Sequence, residues 1–163
     1  MINLKRSLIL VIVGLFMVSG ENLNTKIVVV VNRDNPVTSF SMIELKRIYV
    51  GEITQWRSNN ENNAAIILID YRHKSKIATK FYKKVTGFSH SRVRLKWIGK
   101  MLNGEIQRLP VNFDSDDDIL EFISKNRWCI GFITSSSFDS LMTSIKSVQI
   151  NGKNYNDRDY PLR

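Results

Sequence analysis

Apolar residues in this chain gather in two patterns, short unbroken runs and longer stretches at helical spacing, and the two alternate. Lys26–Asn32 (KIVVVVN) is a β-branched run too short for a helix. It reads as a strand buried on both faces, as in a parallel sheet. Ala64–Asp70 (AAIILID), Trp128–Thr134 (WCIGFIT) and Ser147–Ile150 repeat that pattern. Between the runs lie amphipathic stretches with their own boundary signals. In Phe40–Trp56 (FSMIELKRIYVGEITQW), Ser41 and Glu44 have the spacing of a capping box, and Phe40 and Leu45 that of a hydrophobic staple. Ile43, Leu45, Ile48 and Tyr49 give this helix a short apolar face, and Gly51 ends it. Lys74–Val85 follows, with Ile77, Ala78, Phe81, Tyr82 and Val85 at helical spacing. A third helix begins at Ser89 or Ser91, with Val93, Trp97, Ile98, Met101 and Leu102 as its inner stripe. Ser115 and Asp118 cap a fourth, buried through Ile119, Leu120, Phe122 and Ile123. Strands alternating with helices predict an α/β domain, a mainly parallel sheet flanked by helices.

The first twenty residues stand outside this pattern. Lys5 and Arg6 form a basic n-region, and Leu8–Val18 an apolar h-region well short of the ~20 residues that span a bilayer. Val18 and Gly20 are small enough to flank a cleavage site. Residues 1–20 are therefore expected to be a signal peptide, leaving a 21–163 domain that is periplasmic or secreted, with no stable membrane span. No cysteine follows that could carry a lipid anchor. The whole chain of 163 residues carries a formal net charge of +9, which favours acidic partners or surfaces. Its single cysteine, Cys129, has no internal disulfide partner, so the fold must rest on its core.

Five segments, taken in order, resemble the phosphate-binding proteins that serve ABC transporters. KIVVVVNRDNP is similar to that family's "VVVVN…NP" strand, and IYVGEITQW to its "IFxGKIxxW" segment. NRWCIGFIT is similar to "NPGAIGYV", VQINGK to "VxINGV", and Tyr160–Arg163 to "YPLxR". The DYRHKSKIATKFYKKV segment aligns loosely with the family's ligand loop and helix, "RxDGSGTxxxF". The resemblance implies one lobe of a type II periplasmic binding protein that binds inorganic phosphate or a similar oxyanion. Its implied partner is an ABC transporter permease or an envelope sensor. Two departures qualify it. Only Glu21–Lys26 separate the expected cleavage site from the first strand, so half of the usual two-lobed cleft is expected to be absent. The ligand loop has also lost its glycines: Lys76 stands for glycine, Ile77 for threonine, and Arg72 lies one place late. A ligand-free interaction module that docks to an envelope partner is the alternative.

The ligand-binding residues expected on these grounds are Arg72, Ser75, Lys76 and Ile77. A helix N-terminus offers amide donors and the positive end of the helix dipole. Ser75 would add a hydroxyl, and Arg72 a guanidinium able to hold an oxyanion through two donors. His73, three residues after Asp70, has an acid–base spacing but no nucleophile, second histidine or metal cluster near it. Neither a catalytic set, a metal site nor a cofactor is therefore expected. His90 precedes a helix start and is expected at the surface, and Cys129 is expected to be a core thiol. Asp114, Asp116, Asp117 and Asp118 do not make a calcium loop, since Ile119 and Lys125 stand where glycine and glutamate are needed. They suit a helix N-terminus instead. Ser135–Ser137, just past a strand end, is either a further set of hydroxyls or a plain turn. The Arg92, Arg94, Lys96 and Lys100 stripe is read as a solvated face, with no nucleic acid partner.

Overall fold

A computed structural model describes residues 25–56, 64–72 and 75–163. The elements in chain order are β1 (Ile27–Asn32), β2 (Ser39–Phe40), α1 (Met42–Tyr49), β3 (Ile67–Tyr71), α2 (Lys76–Thr86) and α3 (His90–Leu102). They are followed by β4 (Val111–Phe113), α4 (Asp116–Lys125), β5 (Cys129–Thr134), β6 (Ile145–Ser147) and β7 (Gln149–Ile150). The expected signal peptide, His73 and Lys74 lie outside the described residues.

The main sheet has the order β4-β3-β5-β1-β6. Strands β4, β3 and β5 pair in parallel, whereas β1 is antiparallel to both β5 and β6. Four of its five strands thus share a direction, and the sheet is mixed but mostly parallel in sense. Strand β1 is the exception to the expected parallel pairing. Its burial is as expected: Ile27 through Val31 are shut off from solvent. An unbroken β-branched run records two covered faces, and carries no mark of strand direction.

Helices cover both faces. On β5, Gly131 faces α4, close to Ile119 and Ile123, while the next residue, Phe132, turns to the opposite side. There it stacks on Phe81 of α2 at 3.8 Å and meets the edge of Tyr49 of α1. Each helix begins at a serine whose side chain accepts an amide hydrogen: Ser41, Ser75, Ser89 and Ser115. At α1 the capping box is complete, with Glu44 N–H donating to Ser41 and Ser41 N–H donating to Glu44. Trp56 is buried, and its indole N–H donates to the Trp128 carbonyl at 3.0 Å. The two ends of the described fold meet. The Ile27 amide donates to the Leu162 carbonyl at 3.0 Å, with Tyr160 and Leu162 in the core.

Four details depart from the sequence-based expectation. Ile43 is exposed, so the apolar face of α1 is Leu45, Ile48 and Tyr49. The inner stripe of α3 is His90, Val93 and Trp97, with Ile98, Met101 and Leu102 outside. His90 is therefore a core residue and not a surface one; a buried carboxylate described below holds it there. The last apolar segment divides into β6, which joins the main sheet, and β7, which pairs with β2 in a separate two-stranded sheet.

Candidate functional site

The parallel strands β3, β4 and β5 bring their C-terminal ends to one edge, where open α/β sheets place their ligands. Tyr71 lies opposite Phe113, and the Arg72 amide donates to the Phe113 carbonyl at 2.8 Å. Two helices begin at this edge, α2 behind Ser75 and α4 behind Ser115. Their N-termini are electrostatically unlike. Helix α4 carries Asp116, Asp117 and Asp118 in its first turn, while the first turn of α2 contains no acid. The positive end of the α4 dipole is thus already met by carboxylates of its own first turn, and α2 has none there.

Asp116 is fixed in place. One carboxylate oxygen accepts from the Tyr71 hydroxyl; the other accepts from the Thr134 amide at 3.0 Å and its hydroxyl at 2.6 Å. Burial, with the Asp116 bond second, pushes the Tyr71 hydroxyl well above its ordinary pKa, so it stays a donor. Ser136 and Ser137 place their hydroxyls 3.0 Å from that of Thr134. The Ser135–Ser137 segment is thus a turn, with the Ser136 and Ser137 hydroxyls gathered on Thr134, beside Asp116.

Of the four expected ligand residues, Ser75, Lys76 and Ile77 form the start of α2, while Arg72 follows β3 and is held beside β4. The Ser75 hydroxyl accepts from the Ala78 amide at 3.3 Å, and the Thr79 amide closes the first helical bond on the Ser75 carbonyl. Lys76 and Ile77 are the first two helical residues. Lys76 is exposed, and Ile77 packs against the core, so Ile77 can offer only its amide. Arg72 points its guanidinium at Asp114, Nε to Oδ1 3.1 Å, both side chains being about two-thirds exposed. Nothing in the sequence spacing marked that pair; it arises because β4 is the parallel neighbour of β3. Two cavities of about 220 and 190 Å3 lie elsewhere, around Ile48, Ile53, Gln55 and Ile66, and touch none of the four.

Directly behind the edge is a buried polar cluster. The Asp70 carboxylate accepts from its neighbour's amide, Tyr71 N–H, at 2.8 Å and from the Tyr82 hydroxyl at 2.9 Å. His90 Nε2 lies 2.9 Å from the same oxygen as Tyr82, with its ring stacked on that of Tyr82. Asp70 therefore has a histidine partner, and it is His90 on α3. The cluster ties β3 to α2 and α3 just before the chain enters the Arg72 turn. Among the described residues no group of three or more His, Cys, Asp and Glu is arranged to hold a metal ion.

This architecture recurs in solved structures of phosphate-binding proteins. One, from Clostridium perfringens, is assigned as a phosphate ABC transporter substrate-binding protein and holds bound phosphate; it matches 80% of this chain and 47% of its own at 24% identity and a TM-score of 0.62. An ABC-type phosphate transport receptor from Vibrio cholerae matches 80% of this chain and 48% of its own, at 22% identity and a TM-score of 0.62. This chain has the fold of one lobe of a phosphate-binding protein. A phosphate-binding protein from Stenotrophomonas maltophilia shares the fold at 12% identity, with 78% of this chain and 39% of its own matched and a TM-score of 0.56. The chain thus spans about half or less of the length of these structures. No protein-family profile matches it, and no curated protein does. No helix among the described residues is long and apolar enough to cross a membrane.

Proposed function

We propose that this protein is a solute-binding lobe that takes inorganic phosphate or a similar oxyanion at the N-terminus of α2. It would act in the periplasm or outside the cell, with residues 1–20 removed, and pass its ligand to an ABC transporter permease or an envelope sensor. The observation that carries this reading is the acid-free, Ser75-capped start of α2 at the sheet edge, with Arg72 three positions before the cap. The shared fold supports it, since the Clostridium perfringens relative holds phosphate. The work is binding, and no catalytic step is assigned to it.

In this reading the anion meets the Arg72 guanidinium, the Ser75 hydroxyl and the amides of Lys76 and Ile77. It must compete with Asp114 for Arg72. Water reaches the exposed pair freely, so affinity should be no better than micromolar, about −8 kcal/mol, and should fall with salt. Calorimetric titration with phosphate at low ionic strength tests this. Arg72→Ala and Ser75→Ala should each weaken binding. Asp114→Asn should strengthen it by up to about fivefold, because an exposed ion pair is worth at most about 1 kcal/mol. If millimolar phosphate and sulfate give no heat with the folded protein, the solute-binding reading fails and the ligand-free docking module replaces it.

A further inference from the structure

Helix α3 has a second apolar face, and it points away from the core. His90, Val93 and Trp97 face inward, while Leu95, Ile98 and Leu102 are 68%, 39% and 78% exposed. At 3.6 residues per turn those three fall within an arc of about 60°, well separated from the buried one. Arg94 and Met101 border the arc on one side, and Arg92 and Lys96 on the other. Leu109 lies next to Ile98 and Arg94 across a cleft of about 40 Å3 and widens the apolar surface. The helix contains no acidic residue. Among the described residues no carboxylate pairs with Arg92, Arg94 or Lys96; the fourth cation, Lys100, is matched by Glu105. Arg92 and Lys96 rest over the Phe88 ring, 4.7 and 4.5 Å from its centre, which holds both charges on their flank.

A convex apolar ridge flanked by cations on both sides fits a surface that is apolar below and anionic above. The leucine and isoleucine side chains can enter the acyl boundary, while the long Arg and Lys stems lie along the ridge and lift their charges to the headgroup plane. A groove in an acidic protein would need matching carboxylates along both of its walls. A bilayer supplies phosphates on every side without that requirement. We infer that α3 docks the protein on an anionic phospholipid surface, with Leu95, Ile98 and Leu102 inserted and Arg92, Arg94 and Lys96 at the phosphates. This does not depend on the oxyanion site, and it involves no membrane span.

The test uses vesicles of phosphatidylcholine alone and of equal parts phosphatidylcholine and phosphatidylglycerol. Ser91 shares the exposed arc, and Cys129 is buried, so a polarity-sensitive dye on the Ser91→Cys variant reports on this face alone, whatever residues 1–20 do. The dye should shift to the blue on the phosphatidylglycerol vesicles and not on phosphatidylcholine, and added salt should reverse the shift. Each of Arg92→Gln, Arg94→Gln and Lys96→Gln should weaken this response about fivefold, and the three together about a hundredfold. Leu95→Ser with Leu102→Ser should abolish it, with far-UV circular dichroism unchanged. A dye on Lys125→Cys, on α4, should stay in water throughout. No shift on phosphatidylglycerol, an equal shift on phosphatidylcholine, or a shift that survives the leucine changes would overturn the inference. So would a wild-type dimer in sedimentation that Leu95→Ser with Leu102→Ser dissolves, since the face would then be a self-association surface.

Discussion

At the scale of single residues, the demanding group is the Asp70 carboxylate, buried in a strand of apolar neighbours. A buried charge is tolerable only when hydrogen-bonded, and this one is met by the Tyr71 amide, the Tyr82 hydroxyl and His90. Tyr82→Phe removes a donor and leaves the acceptor buried, which should cost about 1–3 kcal/mol in urea unfolding. Tyr49 makes the contrast. Its hydroxyl is also buried but has no hydrogen-bond partner among the described residues, so Tyr49→Phe should be neutral or stabilising. Equal losses for the two variants would show that packing, not hydrogen bonding, sets both. The same pair fixes an alkaline limit. Burial first, and the Asp70 charge second, hold both hydroxyls well above their ordinary value of 10.0. The folded state keeps these protons where the unfolded chain would lose them, so stability is full below about pH 10 and declines as pH rises beyond it. Urea midpoints measured from pH 8 to 11 should fall at the alkaline end, and less steeply in a Tyr82→Phe variant. In the sequence Asp70 draws notice only through its spacing to His73. Its partner in the fold, His90, does not, because it is twenty positions on in another helix.

At the scale of elements, local signals were legible and orientation was not. The four serine caps are set by side chains within three residues of one another, so the sequence displays them directly. Helix α3 was ambiguous because its wheel has two apolar arcs. Which one turns inward is decided by Asp70, which draws His90 into the core, and by the Trp97 indole, which donates to the Tyr49 carbonyl. The packing of β5 on α4 is tighter than any periodicity could reveal. A methyl group on Gly131 would lie 3.0 Å from Ile123 Cδ1 and 3.2 Å from Ile69 Cβ. Gly131→Ala should therefore destabilise by about 1–3 kcal/mol through overpacking. Trp56→Ala, at the far end of the α1 segment, opens a void and removes one of the two donors to the Trp128 carbonyl, the Ile67 amide remaining, for about 3–5 kcal/mol. Chemical denaturation of both variants checks the pair, and a loss under 1 kcal/mol at either would mean that its surroundings readily yield.

At the scale of the whole molecule, the order of strands decides what the candidate site contains. Arg72, Ser75, Lys76 and Ile77 lie within six positions of one another, so their nearness to one helix start follows from sequence. Asp114 reaches Arg72 because β4 lies beside β3, and Asp116 reaches Tyr71 and Thr134 because β3 lies beside β5, neighbourhoods that spacing along the chain does not encode. Part of what the sequence shows as a helix-start acid cluster therefore stands against Arg72. An anion taken at the proposed site would have to displace Asp114.

The bond between the Ile27 amide and the Leu162 carbonyl places the start of β1 beside the C-terminal turn. The polypeptide path is thus nearly a closed ring, and where that ring is cut should matter little to the packing inside it. Joining Arg163 to Thr25 through a short Gly/Ser linker, and reopening the chain between the exposed Asn103 and Gly104, should give the same far-UV spectrum and a cooperative urea transition; a broad, non-cooperative one would refute it. By the same geometry, the lobe is a cassette. A host protein could carry it in a surface loop whose two stems stand no farther apart than neighbouring strands, about 5 Å.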